Sequence, residues 1–123
     1  MEKLMNKQQL ESLLIAFTGA DSSNPFGPEA LIYKVKGKMY ALVSQNEEIP
    51  RVTLKCKPED GEVLVAQFES ISPGYYMNKR HWITIKLDGE INQTMLADLA
   101  HESYQLVVAK LKKSDRESLF MNG

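Results

Sequence analysis

One cysteine, Cys56, occurs in the 123 residues, so no internal disulfide is available. His81 and His101 stand far apart, without the Cys and His spacing of a structural zinc site, so neither a metal nor a cofactor is expected. Glu2, Lys3, Asn6, Lys7, Gln8, Gln9 and Glu11 interrupt any apolar run at the N-terminus that would read as a signal peptide. Nothing approaches the roughly 18 apolar residues of a membrane span. A reducing cytoplasm is the expected compartment, with no membrane partner. A Gly-rich phosphate loop, a Ser-His-acid set and paired carboxylates are all missing, so no catalytic residue is assigned and no enzyme is expected. Charge of one sign is lacking too: the net charge is −1, which gives no global attraction to a polyanion.

What is present suffices for one core. Hydrophobic residues make up 43% and charged residues 25%, as in an ordinary folded domain. No repeat, linker or low-complexity tract divides the chain, and residues 1–123 read as a single domain and a monomer.

Two periodicities alternate along the chain. Asn6 with Gln9 three residues later forms a capping box, and Leu10, Leu13, Leu14 and Phe17 then share one helical face. Gly19 reads as the stop of that helix, and the segment 24–29 (NPFGPE) as a turn. From Ala30 the period becomes two. Leu31, Tyr33 and Val35 alternate with Ile32, Lys34 and Lys36, and Gly37 reverses the chain into residues 39–44. In residues 51–56, Val52, Leu54 and Cys56 share a face opposite Arg51, Thr53 and Lys55, with Lys57 following.

Pro58 suits the first turn of a second helix, with Val63, Leu64, Ala66 and Phe68 as its inner face and Gly61 as its weak point. Residues 82–87 return to period two, with Ile83, Ile85 and Leu87 opposite Trp82, Thr84 and Lys86. Asn92 caps a last helix whose stripe is Leu96, Leu99, Ala100, Ser103, Leu106, Val107 and Leu111. The order is helix, three strands, helix, one or two strands, helix. It predicts an α+β fold: an antiparallel sheet with the N- and C-terminal helices on one face and the other face open.

The segments 24–29 (NPFGPE), 33–44 (YKVKGKMYALVS), 51–56 (RVTLKC), 73–82 (PGYYMNKRHW) and 102–111 (ESYQLVVAKL) resemble the MmcQ/YjbR family. The Tyr-rich turn running into Asn-Lys-Arg-His-Trp is the most specific of them. Lys57 stands where that resemblance leads one to expect a helix-capping Asp, and Tyr76 where the family often has His. The resemblance implies a fold related to the bacterial frataxin-like (CyaY-like) proteins, with two protruding hairpins in a double-wing arrangement proposed to bind DNA. Frataxin-like iron binding would need clustered carboxylates near the first helix. Only Glu2, Glu11 and Asp21 are there, so it is not expected.

Between Leu31 and Lys86 nine basic residues face six acidic ones, a local excess of three positive charges. Arg51, Lys55 and Lys86 fall on the open strand face beside Trp82, and Lys79 and Arg80 lie in the aromatic turn with Tyr75 and Tyr76. Rings that stack on bases, flanked by cations that meet phosphates, are how open sheets bind nucleic acid. The expected function is therefore a non-enzymatic nucleic-acid (DNA) binding module using Arg51, Lys55, Tyr76, Lys79, Arg80, Trp82 and Lys86. Lysines on a strand face also serve as a solvated surface that blocks edge pairing. The competing expectation is a protein- or small-ligand-binding adaptor that uses the same face. Cys56 is expected to be a buried packing residue rather than a reactive thiol.

Overall fold

The computed structural model describes residues 5–25, 27–74 and 78–121. Asn6 starts helix α1 (Lys7–Ile15): its side chain accepts from the Gln9 amide while the Gln9 side chain accepts from the Asn6 amide. Strands β1 (Ala20–Ser23), β2 (Ala30–Val35), β3 (Lys38–Ser44) and β4 (Arg51–Lys55) follow. Helix α2 (Pro58–Gln67) leads to β5 (Ile71–Pro73) and β6 (Trp82–Lys86), and the chain ends in α3 (Gln93–Ala109) and α4 (Lys113–Met121). The strands form one antiparallel sheet in the order β1-β2-β3-β4-β6-β5.

The helices cover one face of this sheet, as expected from the order of elements. Leu10 and Leu14 of α1, Leu96, Ala100, Tyr104 and Val107 of α3, and Leu119 of α4 join Tyr33, Val35, Ala41, Val43, Val52, Leu54, Ile83 and Ile85 in one core. The registers Val52↔Ile85 and Leu54↔Ile83 confirm the face assignment read from period two. Asn92 caps α3 by accepting from the Met95 amide. Leu54 and Ile85 are fully buried, while Leu13, Phe17 and Leu99 pack at the core margin. Leu106 is only half-buried, and Tyr104 takes the inner position beside it.

Three features depart from expectation. The sequence predicts no strand before Ala30, since Ala20-Asp21-Ser22-Ser23 has no apolar alternation; β1 is an edge strand held by pairing with β2. Among the described residues of helix α4 only Leu119 is buried, which is too little for a periodic signal. Helix α1 stops at Ile15, and Gly19 instead turns the chain into β1 at φ +75°. A Cβ on Gly19 would also lie 2.3 Å from Leu119 Cδ1, so this glycine admits the last helix.

The inner face of α2 is also different. Val63 is 61% exposed and Ala66 is exposed, while Gly61 is buried and Leu64, Val65 and Phe68 pack toward the core. Gly61 thus heads the spacing i, i+3, i+4, i+7 that reading it as a weak point had hidden. A Cβ there would stand 2.8 Å from Cys56 Sγ and 3.6 Å from Ile83 Cγ2. The missing side chain lets α2 settle onto the end of β4.

An alanine at position 61 should therefore destabilise the protein, although alanine is favoured over glycine by about 1 kcal/mol inside a helix. In the double variant Gly61→Ala, Cys56→Ala the new methyl occupies the space left by the sulfur. The two substitutions should couple favourably by at least about 1 kcal/mol in a denaturant double-mutant cycle. Additive effects would show that α2 does not rest on Cys56.

Candidate functional site

No helix covers the second sheet face among the described residues. The register lays a row of short side chains across its middle: Ile32↔Leu42↔Thr53↔Thr84↔Ser72. Thr53 and Thr84 are buried and share a hydroxyl–hydroxyl hydrogen bond of 2.9 Å. Ile32 is buried as well, outside the main core. The row is flanked on one side by the pair Arg51↔Lys86 and on the other by Lys55↔Trp82.

These two flanks lie about 13 Å apart, four residues along a strand. The sequence grouped their cations together; the structure separates them. Arg51 is held by Glu47, its Nε donating to Glu47 Oε2 at 2.7 Å, and Lys86 lies beside the Asp88 carboxylate. At the other end Lys55 is half-buried, with Nζ 6.0 Å from the centroid of the half-exposed Trp82 ring, a cation–π geometry. Its ammonium is held below the ordinary lysine range by burial first and by the charge of Lys110 second. Lys79 and Arg80 are exposed immediately before Trp82. Tyr75 and Tyr76 lie outside the described residues.

The antiparallel topology extends this separation to the whole sheet. The β2–β3 turn, the end of β4 and the start of β6 meet at one end. The segments 34–38, 55–57 and 79–82 carry Lys34, Lys36, Lys38, Lys55, Lys57, Lys79 and Arg80 there, with no acid. Connections at the opposite end carry Glu29, Glu47, Glu48, Glu69, Asp88 and Glu90 against Arg51 and Lys86. Acids are present at the basic end as well: Asp21 lies opposite Lys34 in the β1–β2 ladder, and Asp60 and Glu102 line a cleft together with Lys55, so cations outnumber acids there without excluding them.

Ser103 on α3 fixes the basic end. Its fully buried Oγ donates to the Tyr40 carbonyl at 2.6 Å and accepts from the Lys55 amide at 2.8 Å. Strands β3 and β4 pair from Val43↔Val52 to Ala41↔Leu54, and an irregularity between β2 and β3 follows at this point. The hydroxyl thus satisfies two backbone groups just beyond the paired residues. Cys56 lies next to it, in the floor of a cleft of about 260 Å³ between α2 and α3, with Asp60, Val63, Leu64, Leu99 and Glu102. Burial, then the charges of Asp60 and Glu102, push the Cys56 thiol up to about 11, so it stays protonated at neutral pH. That agrees with a packing role and disfavours a nucleophile. No group of three or more potential metal ligands occurs among the described residues, and His101 rests its ring against Phe17 at 5.7 Å.

The acidic end is organised by Ser70. Its hydroxyl donates to Asp88 Oδ1 at 2.6 Å and its amide to Glu90 Oε1 at 2.8 Å, and both carboxyls lie below their usual range chiefly because of these bonds. Glu47 is lowered by its hydrogen bond to Arg51. A lowered carboxyl stabilises the fold above its unfolded pKa, and that contribution is lost as pH falls through the folded pKa.

Two outcomes follow. Thermal stability should drop as pH falls below the ordinary carboxylate range near pH 4, and Ser70→Ala should make that drop shallower. A Ser70→Ala protein with an unchanged acid profile would rule out the hydroxyl bond to Asp88 as its source. Ser103→Ala strands a buried carbonyl and amide, and chemical denaturation should show a loss of about 2–4 kcal/mol. A loss below about 0.5 kcal/mol would mean that the strand ends do not depend on the hydroxyl.

The YjbR family model matches residues 15–106. The chain is 40% identical over 93 residues to the uncharacterized protein YbdF of Escherichia coli O157:H7, covering 76% of each. It is 33% identical over 115 residues to the uncharacterized protein YjbR of Escherichia coli K12, covering 94% of this chain and 98% of that one. A Deinococcus radiodurans protein with a DUF419 domain superposes at a TM-score of 0.88 and 36% identity, over 97% of this chain and 91% of that one. A Pseudomonas syringae protein does so at 0.72 and 26% identity, over 83% and 98%. The family model spans the whole sheet with α2 and most of α3, and the chain belongs to the YjbR family.

Proposed function

We propose that the protein is a non-enzymatic nucleic-acid-binding module whose contact surface is the basic end of the open sheet face. The observation that carries this reading is the half-exposed Trp82 ring, set among strand-end segments that hold seven cations and no acid. Lys55, Lys79 and Arg80 supply cations for phosphates, and Trp82 supplies an apolar surface for a base. Arg51 and Lys86, grouped with them by the sequence, have carboxylates for neighbours and take a lesser part. The local excess of cations supports the reading further, because a local positive field steers a polyanion even when the whole chain is near neutral. A DNA-binding role of the double-wing kind is the specific form that the family resemblance suggests for this surface.

Binding to an oligonucleotide should weaken with salt, with a log–log slope of about −2 to −3 for the phosphates met by Lys55, Lys79 and Arg80. Replacing Lys55, Lys79 and Arg80 together by serine should flatten that slope by about two to three units. The Lys86→Ser variant, changed at the opposite end, should keep the parent slope. No binding at low salt, or equal losses in both variants, would overturn the reading and leave a protein- or small-ligand-binding adaptor in its place.

A further inference from the structure

We infer that the nucleic acid taken by this surface is single-stranded, held with one unpaired base on the Trp82 indole and its flanking phosphates on Lys55 and on Lys79 with Arg80. This rests on the proposed nucleic-acid reading and narrows it to a form of ligand.

The geometry of the face sets the preference. Trp82 is the first residue of β6 and stands on the sheet surface opposite Lys55, so its ring belongs to a sheet face and not to a protruding helix. A duplex keeps each base stacked between its neighbours, and only an unpaired base offers a free face to a protein ring. A duplex resting on this end would meet the exposed cations and leave the indole unused. A single strand can use both.

The ring already has the surroundings that stacking needs. One cation, Lys55, sits 6.0 Å from the ring centroid and makes no ion pair among the described residues, although Asp60 and Glu102 line the same cleft, and Lys110 adds further positive charge. An anion beside Lys55 relieves that repulsion and draws the ammonium off the ring toward a phosphate. On the other side, Lys79 and Arg80 precede the indole by three and two residues, close enough for the next phosphate along the strand. Because the pairs Lys55↔Trp82 and Thr53↔Thr84 are fixed by the ladder, the ring and its first cation are preorganised. One stacked base with a phosphate on each side corresponds to a footprint of about three nucleotides, smaller than that of a whole OB-fold.

Trp82 is the sole tryptophan of the 123 residues, so their intrinsic tryptophan fluorescence reports from this one position. The experiment titrates the protein at low salt with oligothymidylates of about one to eight nucleotides, a duplex of matched phosphate number, and inorganic polyphosphate. Single strands should quench the fluorescence, with affinity rising steeply to about three nucleotides and only slowly beyond. Duplex and polyphosphate should bind at least roughly ten-fold more weakly and leave the emission unchanged. With a labelled single strand read by anisotropy, Trp82→Leu should lose roughly ten-fold in affinity while Trp82→Phe, which keeps a ring, loses less than about three-fold. Thermal unfolding of both variants checks that the domain stays folded. Duplex binding as tight as single strand, or single-strand binding without quenching, would overturn the inference while leaving nucleic-acid binding in place. Absence of binding to either nucleic acid would overturn both.

Discussion

The hydroxyl of Ser103 holds together the part of the molecule on which the rest depends. At the basic end of the sheet, the pairing of β3 with β4 gives way just beyond Ala41↔Leu54. Buried backbone groups left there would each cost about 1–3 kcal/mol. Ser103 meets two of them with one oxygen, so α3 is bonded to two neighbouring strands as well as packed on them. The position of α3 then fixes Tyr104, which stacks on Phe17 at 4.8 Å and donates to the Thr18 carbonyl at 2.6 Å. Tyr40 donates in turn to the Leu14 carbonyl at 2.6 Å, so two tyrosines hold the end of α1 against the sheet. Burial raises the pKa of both phenols, which remain donors throughout the neutral range.

The same region carries the candidate interface, and the two facts are linked. A surface that recognises a ligand needs side chains whose position is fixed before the ligand arrives. Lys55 is the residue whose amide Ser103 binds, and its side chain reaches Trp82 across the β4–β6 ladder. The buried Thr53–Thr84 pair is the next pair along the same face, so Lys55 and Trp82 flank a closed surface. On the covered face, Gly61 removes a side chain where α2 approaches Cys56, and Gly19 does the same where Leu119 closes over β1. Close approach of helices to the sheet's basic end is thus obtained at positions with nothing to bury.

Charge is distributed by topology. Successive strands reverse direction, so chain segments far apart in sequence alternate between the two ends of the sheet. Basic segments at 34–38, 55–57 and 79–82 all arrive at one end, and the acids at 47–48 and 88–90 arrive at the other. Summed over the chain these charges nearly cancel, yet screening acts over about 8–10 Å, shorter than the sheet is long. The excess of cations at one end and of acids at the other is therefore felt locally by a partner. At the acidic end, Ser70 and Arg51 draw the carboxylates into local bonds.

What the sequence determined by itself was the local pattern. Asn6 and Asn92 as caps, Pro58 at a helix start, and the faces of β4 and β6 follow from caps and from period two, which involve neighbours in the chain. Lys55 and Trp82 were legible as residues of one open face for the same reason. Strand β1 was not, because its four mostly polar residues are strand only through the hydrogen bonds β2 offers. The inner face of α2 was misread because a glycine's value lies in what it leaves room for, here the Cys56 sulfur. Nor could any local pattern separate Arg51 and Lys86 from Lys55, since all three share a face. Only the strand order decided which cations meet carboxylates and which gather around the indole, because contacts between distant segments are set by the direction and neighbours of each strand.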